Sequence, residues 1–409
     1  MIELNPQQFP WMQSKAVRQL FAAFPEGECR FVGGCVRNAL WGEPVGDIDL
    51  AIALEPEAVM SSLKAAGIRY IETGVAHGTV TAVIEGQPYE LTSLRRDVET
   101  DGRRATVSYT KDWHEDAQRR DLTFNALYAD LDGVVYDPTE QGLEDLKARK
   151  LRFVGEADVR VKEDYLRILR FFRFLAWYGG EAKLDADSLK ACRENKAGLK
   201  KLSAERVWME LKKILSAKNP SRSLHILLTH GILETLLPEA NNVDGLDQLL
   251  KLEAREEIKP DPLLRLMAMS MREPLQMALL CKRLKMSKAE TQRLRNWSDD
   301  GTPINPEMSE RERLIAIYKS GKQTALDRVR LRAAGEPDTI RSAHWMVLAD
   351  LAMGWVPPEF PITGKDLKSA GVEAGPKMGK AMKMLEALWI RSGFSADKEK
   401  LLIALKMLG

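Results

Sequence analysis

The stretch "FVGGCVRNALWGEPVGDIDLAIAL", residues 31–54, decides how the first part of this chain is read. A double glycine, Gly33–Gly34, leads into CVRNALWG, which is long enough for a short helix. DIDLAIAL then sets apolar residues at alternate positions with a proline soon after, the pattern of a strand. Side chains two apart in a strand share a face, so this reading puts Asp47 and Asp49 together on a rigid platform that can grip one or two divalent cations. Gly33 and Gly34 lack Cβ atoms and let backbone amides approach phosphate oxygens. The dipole of the following helix favours an anion there, and Arg37 adds a charge-assisted contact. A lone Gly-Gly is ordinarily a turn, and an Asp pair near a strand end is ordinarily solvated. Their combination points to a nucleoside-triphosphate site in which metal ions bridge the phosphates and activate an attacking hydroxyl.

Outward from that stretch, residues 12–24 read as helical and residues 57–66 as a short helix. "GTVTAVIEGQPYELTSLR" reads as two strands joined near Gly86–Pro88. Glu90, in the second of these, is either a third carboxylate of the site or an exposed strand glutamate. A mixed head of strands and helices is thus expected over about 1–148. From about residue 158 onward, amphipathic runs such as "VKEDYLRILRFFRFLAWYG" and "SAERVWMELKKILSA" dominate, and "WVPPEFPIT" at 355–363 reads as a hinge before a last helical segment.

A length of 409 residues suggests two to four domains. The formal net charge of +2 excludes a polyelectrolyte, so any nucleic-acid surface must come from local segregation of charge. Cys29, Cys35, Cys192 and Cys281 form no pair motif, which suits a reducing compartment and argues against thiolate zinc sites. With neither a signal-like apolar core nor a run of membrane-spanning length, a soluble cytoplasmic protein without membrane contact is expected.

Two further clusters carry chemistry. In "HEDAQRRDLTFNAL", Arg119 and Arg120 can reach phosphate or ribose, and Asp121 can fix an arginine or accept from a hydroxyl, with Asn125 nearby. These charges also fit a plain helix cap. In "RVKEDYLRILRFFRF", the spacing from Asp164 to Arg167 suits one helix face, with Arg170 and Arg173 continuing a basic stripe. Such a pair offers an acceptor and donors to a nucleobase edge, and equally fits a solvated salt-bridge face. "ERVWMEL", with Arg206 and Glu210, has the same two readings.

The ordered set of motifs resembles class II bacterial tRNA nucleotidyltransferases, the CCA-adding family related to bacterial poly(A) polymerases, over nearly the whole chain. The resemblance implies an α+β nucleotidyltransferase head with a polymerase-beta-like mixed sheet at 1–148, then an all-helical neck (149–218), body (219–354) and tRNA-binding tail (355–409). It implies Asp47 and Asp49 as ligands of Mg2+; Glu90 stays the candidate third catalytic carboxylate that the strand pattern offers. Gly33, Gly34 and Arg37 would hold the triphosphate, and Arg119, Arg120, Asp121 and Asn125 the ribose and phosphates. "EDYLR" resembles the EDxxR element, so Asp164 and Arg167 would read the base of CTP or ATP, with Arg170 alongside and Arg206 and Glu210 in support. The implied reaction adds CCA to the 3′ end of tRNA without a template, the tRNA hydroxyl attacking the α-phosphate of CTP twice and ATP once.

Other features fit that resemblance. The loop holding Gly102, Arg103 and Arg104 matches one that moves during the switch from C to A addition in such enzymes. Residues 361–409 carry eight Lys and one Arg against five acids, an excess of four positive charges. Lys365, Gly375, Lys377, Gly379 and Lys380 are the candidate RNA contacts there, against the plain reading of a helix cap with solvated lysines. His77, His114, His225, His230 and His344 stand in no His-Asp pair, so the metal-dependent phosphohydrolase activity of some relatives is not expected. A poly(A) polymerase, a CC-only or A-only enzyme, and a non-catalytic RNA-binding protein remain the competing readings; oligomeric state is not legible.

Overall fold

The alternation at DIDLAIAL ends in a strand whose last residues, Leu50, Ala51 and Ile52, are wholly buried. The structure is a computed structural model that describes residues 2–75, 78–100, 105–179 and 182–408. His77, Gly102, Arg103 and Arg104 lie outside the described residues.

Strands β1 (Cys29–Val32), β2 (Asp49–Ile52), β3 (Arg69–Gly74), β4 (Thr79–Ile84) and β5 (Gln87–Ser93) are followed by β6 (Arg95–Thr100), β7 (Ala105–Tyr109), β8 (Tyr128–Ala129) and β9 (Val135–Tyr136). Among the described residues, a seven-stranded sheet runs in the order β3-β4-β5-β2-β1-β8-β9. All pairings are antiparallel except β2 with β5, which run parallel and set Asp49 opposite Glu90. The strand is shorter than its sequence pattern. Its ladder with β1 begins at Leu50 and that with β5 at Asp49, so Asp47 precedes the strand, exposed, beyond the reach of either neighbour's hydrogen bonds. The expected loop after β5 is in part a hairpin, with Arg95–Tyr109 and Arg96–Ser108 paired across β6 and β7.

Helices α1 (Lys15–Ala22), α2 (Gly34–Trp41), α3 (Pro56–Ala65), α4 (Trp113–Gln118) and α5 (Gly142–Lys147) flank these strands. The expected helix over 12–24 is divided at Ser14, whose hydroxyl caps α1 by accepting from Val17 N, after a short 3-10 turn at Pro10–Gln13. Beyond the head come α6 (Ala157–Glu163), α7 (Leu166–Tyr178), α8 (Ala186–Glu194) and α9 (Ala204–Leu215), with one parallel two-residue pair, Lys150–Leu151 with Lys183–Leu184, among them. Helix α7 buries Ile168, Leu169, Phe171, Phe172 and Leu175 and packs on α9, which leaves its arginines on the less buried part of its surface.

Internal contacts divide the chain into two units, Met1–Asn241 and Asn242–Gly409. The described part of the second is helical, with Lys322–Gly335 and Thr339–Gly354 forming an antiparallel pair. A buried Arg265–Glu253 ion pair at 2.6 Å lies inside it, and Leu367, Leu385, Trp389 and Leu401 form a core for its last helices. Among the described residues no helix is long and apolar enough to cross a membrane.

Candidate active site

A cavity of about 860 Å³ opens in the first unit, in the upper range of small-molecule sites. Its floor is the turn from β1 into α2. Gly33 caps that helix with φ +71°, a left-handed backbone that a side-chain-bearing residue adopts only with strain, and its amide donates to Leu127 O at 3.2 Å. Gly33, Gly34 and Arg37 all line the cavity, so the free amides of the first turn face it. Arg37 is buried and already engaged: Nη2 donates to Tyr178 Oη at 2.8 Å, Nη1 to Asn125 Oδ1, and Nε to Asn38 Oδ1 at 3.1 Å. Its guanidinium also lies over the Tyr178 ring at 4.6 Å. Burial lowers its pKa, with Tyr178 and Asp121 opposing. The side chain therefore braces α2 against Asn125 and α7 as well as bordering the cavity.

Asp49 and Glu90 line the same cavity from adjacent strands. Burial, then Glu90 and Asp47, push the Asp49 carboxyl up to about 6, and Arg120 only partly offsets them. Negative charge gathered on hard oxygen donors, with its proton held this tightly, fits a divalent cation. A pair of carboxylates is the protein share that Mg2+ ordinarily takes when phosphate oxygens complete its shell.

Opposite these acids stand the arginines. Asp116, fully buried, accepts from Arg119 Nε at 2.7 Å, Arg120 Nη2 at 2.9 Å and Tyr128 Oη at 2.7 Å. Burial alone would raise its carboxyl; the Arg120 and Arg119 guanidiniums bring it down to about 2. Asp121 accepts from Asn125 Nδ2 at 3.0 Å, its neighbour's amide, Leu122 N, at 2.8 Å, and Arg170 Nε at 2.8 Å. Against the upward push of burial, Arg170 holds that carboxyl well below the usual range.

The third cluster corrects one expectation. Asp164 does not share a helix with Arg167; it sits extended at the end of α6, where Oδ1 accepts from Leu166 N at 3.0 Å and so caps α7. Both residues nonetheless line the cavity. Asp164 Oδ2 is held by Arg206 Nη2 at 2.6 Å, while Arg167 donates to Glu163 and to the carbonyl of Arg160 at 2.7 Å. Arg170 and Arg173 follow on α7, and Arg173 is clamped by Glu210 at 2.8 Å, which also pairs with Lys213 at 3.2 Å. Arg206 and Glu210 thus stand behind cavity residues and do not line it, and Glu210 serves Arg173 instead of the Asp164–Arg167 pair.

The sequence reading did not single out Asp116, Tyr128, Tyr178 or Glu163. Asp116 had a signal, its spacing of three and four from Arg119 and Arg120; Tyr128 and Tyr178 had none, because each meets its arginine through the fold. Thr79, Thr92, Arg95, Trp177 and Lys213 also reach the cavity. Eight cationic side chains and four carboxylates line it among the described residues, an excess of four positive charges that suits a triphosphate. Lys365, Gly375, Lys377, Gly379 and Lys380 belong to the second unit, all exposed on the neighbouring helices Gly364–Ser369 and Pro376–Arg391 or capping the latter. Lys377 pairs with Glu373 at 3.3 Å.

The Poly A polymerase head domain model matches residues 29–152, the "Probable RNA and SrmB- binding site of polymerase A" matches 183–243, and a tRNA nucleotidyltransferase domain 2 model matches 263–405. The chain is 35% identical over 388 residues to the mitochondrial CCA tRNA nucleotidyltransferase 1 of Danio rerio, covering 92% of this chain and 87% of that protein. It is 33% identical over 425 residues to the Homo sapiens protein of the same name, covering 99% and 93%. The crystal structure of the Bacillus stearothermophilus CCA-adding enzyme in complex with CTP superposes with a TM-score of 0.72 at 28% identity, over 98% of this chain and 97% of that one.

Proposed function

The chain belongs to the CCA-adding tRNA nucleotidyltransferase family, and from that premise we infer that it adds C, C and A in turn to the 3′ end of tRNA, using CTP and ATP without a template. The observation that carries this reading is one cavity where an anion-binding helix start, the Asp49–Glu90 pair and the Asp164–Arg167 pair meet.

In each cycle the tRNA 3′ hydroxyl attacks the α-phosphorus; the new O–P bond forms as the bond to the β-phosphate oxygen breaks, and pyrophosphate leaves. Asp47 and Asp49 would hold Mg2+, with Glu90 adding negative charge behind Asp49. When bound, that ion neutralises phosphate charge and eases loss of the hydroxyl proton. Arg119 and Arg120, held by Asp116, and the Gly34 amide at the start of α2 would receive the charge of the leaving phosphates, with Gly33 shaping the turn. Arg37 and Asn125 would hold the floor of the site, and Asp121 would fix Arg170 beside the nucleotide.

Base choice follows from hydrogen-bond chemistry. Cytosine and adenine each present an amino donor beside a ring-nitrogen acceptor, whereas uracil and guanine reverse that order. A carboxylate acceptor and a guanidinium donor side by side, Asp164 and Arg167, match the first two and leave the others with unpaired polar groups. Arg206 and Glu163 would keep that pair oriented. The exposed basic helices that carry Lys365, Lys377 and Lys380, with Gly375 and Gly379 leaving open space beside them, suit contacts to RNA phosphates.

The test supplies Mg2+, labelled CTP or ATP, and tRNA transcripts ending before CCA, after C and after CC, with products resolved at single-nucleotide length. Growth that halts at CCA, with C refused on the CC-ended transcript, is the expected outcome. Long A tails would reassign the chain as a poly(A) polymerase, addition of CC or A alone would make it a partial enzyme, and no extension would remove the catalytic reading.

A further inference from the structure

We propose that the second unit carries a separate binding cavity for a phosphate group, built by Arg272, Arg328 and Arg332 beside the start of the helix Val243–Arg255. This cavity, of about 290 Å³, shares no residue with the nucleotide cavity.

Its chemistry is one-sided. Arg328 and Arg332 lie four apart on the helix Lys322–Gly335 and project to the same side, an arrangement that sets like charges against each other. Arg272 approaches from the segment after Pro262–Met269, and its position is fixed by carbonyls: Nε donates to Trp297 O at 2.8 Å and Nη2 to Asp300 O. The Asp300 carboxylate pairs with Arg328. Arg332 makes no ion pair or hydrogen bond with any described residue, and no Asp or Glu lines the cavity. Asn242, Gln248 and Ser270 supply its neutral polar edge.

Three guanidiniums against one carboxylate leave two uncompensated positive charges, an excess that suits a phosphate anion. Burial, and then Arg328 and Arg332, lower the Arg272 pKa, and Asp300 opposes them only in part. Structural arginines are ordinarily bracketed by acids, as Arg293 is by Asp261 and Asp327 in the same unit. Here the acids are replaced by open space, and guanidinium forks match phosphate oxygens in geometry as well as charge.

Two sources share this chemistry: a backbone phosphate of the RNA, and free phosphate or the pyrophosphate that the reaction releases. The RNA source rests on the proposed function; the free-anion source does not. Arg332 is the residue to change because it is exposed and supports no partner in the fold. With nucleotides omitted, tRNA binding to the full chain and to its Arg332→Gln and Arg332→Glu variants is measured across a salt series. Thermal unfolding of the same proteins is followed with added inorganic phosphate and with pyrophosphate. The expected result is weaker tRNA binding, more so for Glu than Gln, with the slope of log K against log salt reduced by about 0.7–0.9 for the loss of one phosphate contact. Unchanged tRNA binding with an anion-induced thermal shift present in the parent and lost in both variants assigns the site to a free anion. Unchanged binding and no such shift overturns the proposal. A chain that fails to add CCA yet shows either signature sinks the proposed function and leaves this site standing.

Discussion

Replacing Asp116 by asparagine tests whether one buried carboxylate holds the cavity-lining arginines Arg119 and Arg120 in place. The side chain keeps its shape, loses its charge, and turns an NH2 toward groups that are all donors: Arg119, Arg120 and the Tyr128 hydroxyl. Two guanidiniums are then left beside each other without the carboxylate that paired them, and breaking a buried pair in this way costs about 3–5 kcal/mol. Linkage gives an independent figure. The carboxyl stands at about 2, below its ordinary 3.8, so its folded pKa is depressed. A depressed carboxyl contributes stability that is fully present above its unfolded pKa and is lost as pH falls through its folded one; the shift corresponds to on the order of 2 kcal/mol. The two figures bracket a destabilisation of about 2–5 kcal/mol for Asp116→Asn at pH 7. Urea unfolding at pH 7, 4 and 2.5 reads it: the parent loses stability between pH 4 and pH 2.5, and the difference between parent and variant narrows over that interval. Turnover of the folded variant is expected to fall on the order of a hundredfold, as when a transition-state donor is removed. A variant as stable as the parent at pH 7, with the same pH dependence below 4, would refute the role given to Asp116.

Two further substitutions separate backbone from charge. Gly33→Ala has open space, its added Cβ meeting Asn125 O at 3.7 Å, so its penalty is the left-handed φ of +71°, about 1–2 kcal/mol; calorimetry should show that loss together with weaker binding of CTP, and a variant unchanged in both would mean that the turn tolerates a side chain. Asp49→Asn removes a carboxyl whose pKa is raised to about 6, a group that opposes folding above its unfolded pKa, so the variant is expected to melt no lower than the parent at pH 7 while losing at least a thousandfold in turnover. In the parent, Mg2+ activation at a fixed subsaturating concentration should fall about tenfold per pH unit below about pH 6, because proton and metal compete for the same oxygens. Flat activation between pH 5 and 7 would contradict that competition.

The elements that position the site were legible where local chemistry decides them. Gly33–Gly34 before an eight-residue helix, the alternation at Leu50 and Ile52, and a turn at Gly86, read near Gly86–Pro88 and found at Glu85–Gly86, each rest on backbone rules that act within a few residues. What escaped was set by pairing partners. Asp47 fell outside the strand because β1 ends at Val32 and the ladder with β5 begins only at Asp49–Glu90, although β5 itself starts at Gln87, a fact about two other segments. Asp164 was read onto a helix face by its spacing from Arg167, yet its short side chain serves better as the cap that separates α6 from α7. Tyr178 and Tyr128 could not be picked from other aromatics, since their hydroxyls acquire meaning only when folding brings Arg37 and Arg120 to them.

The distribution of unpaired charge then explains why this one fold can hold a polyanion without collapsing on itself. Asp116, Asp121, Asp164 and Glu210 are each committed to arginines at hydrogen-bonding distance, so their charge orients those side chains and is spent locally. Asp49 and Glu90 are different: they face each other across parallel strands, and Arg120 offsets the Asp49 charge only in part. The cavity therefore has a cationic wall that is fixed but not neutralised and an acidic corner that is left in mutual repulsion. A metal–triphosphate complex satisfies both at once, its phosphates meeting the wall and its cation the corner, whereas the triphosphate or the metal alone satisfies one and leaves the other uncompensated. Binding of nucleotide and of Mg2+ should accordingly be positively coupled, each tightening the other by the same factor.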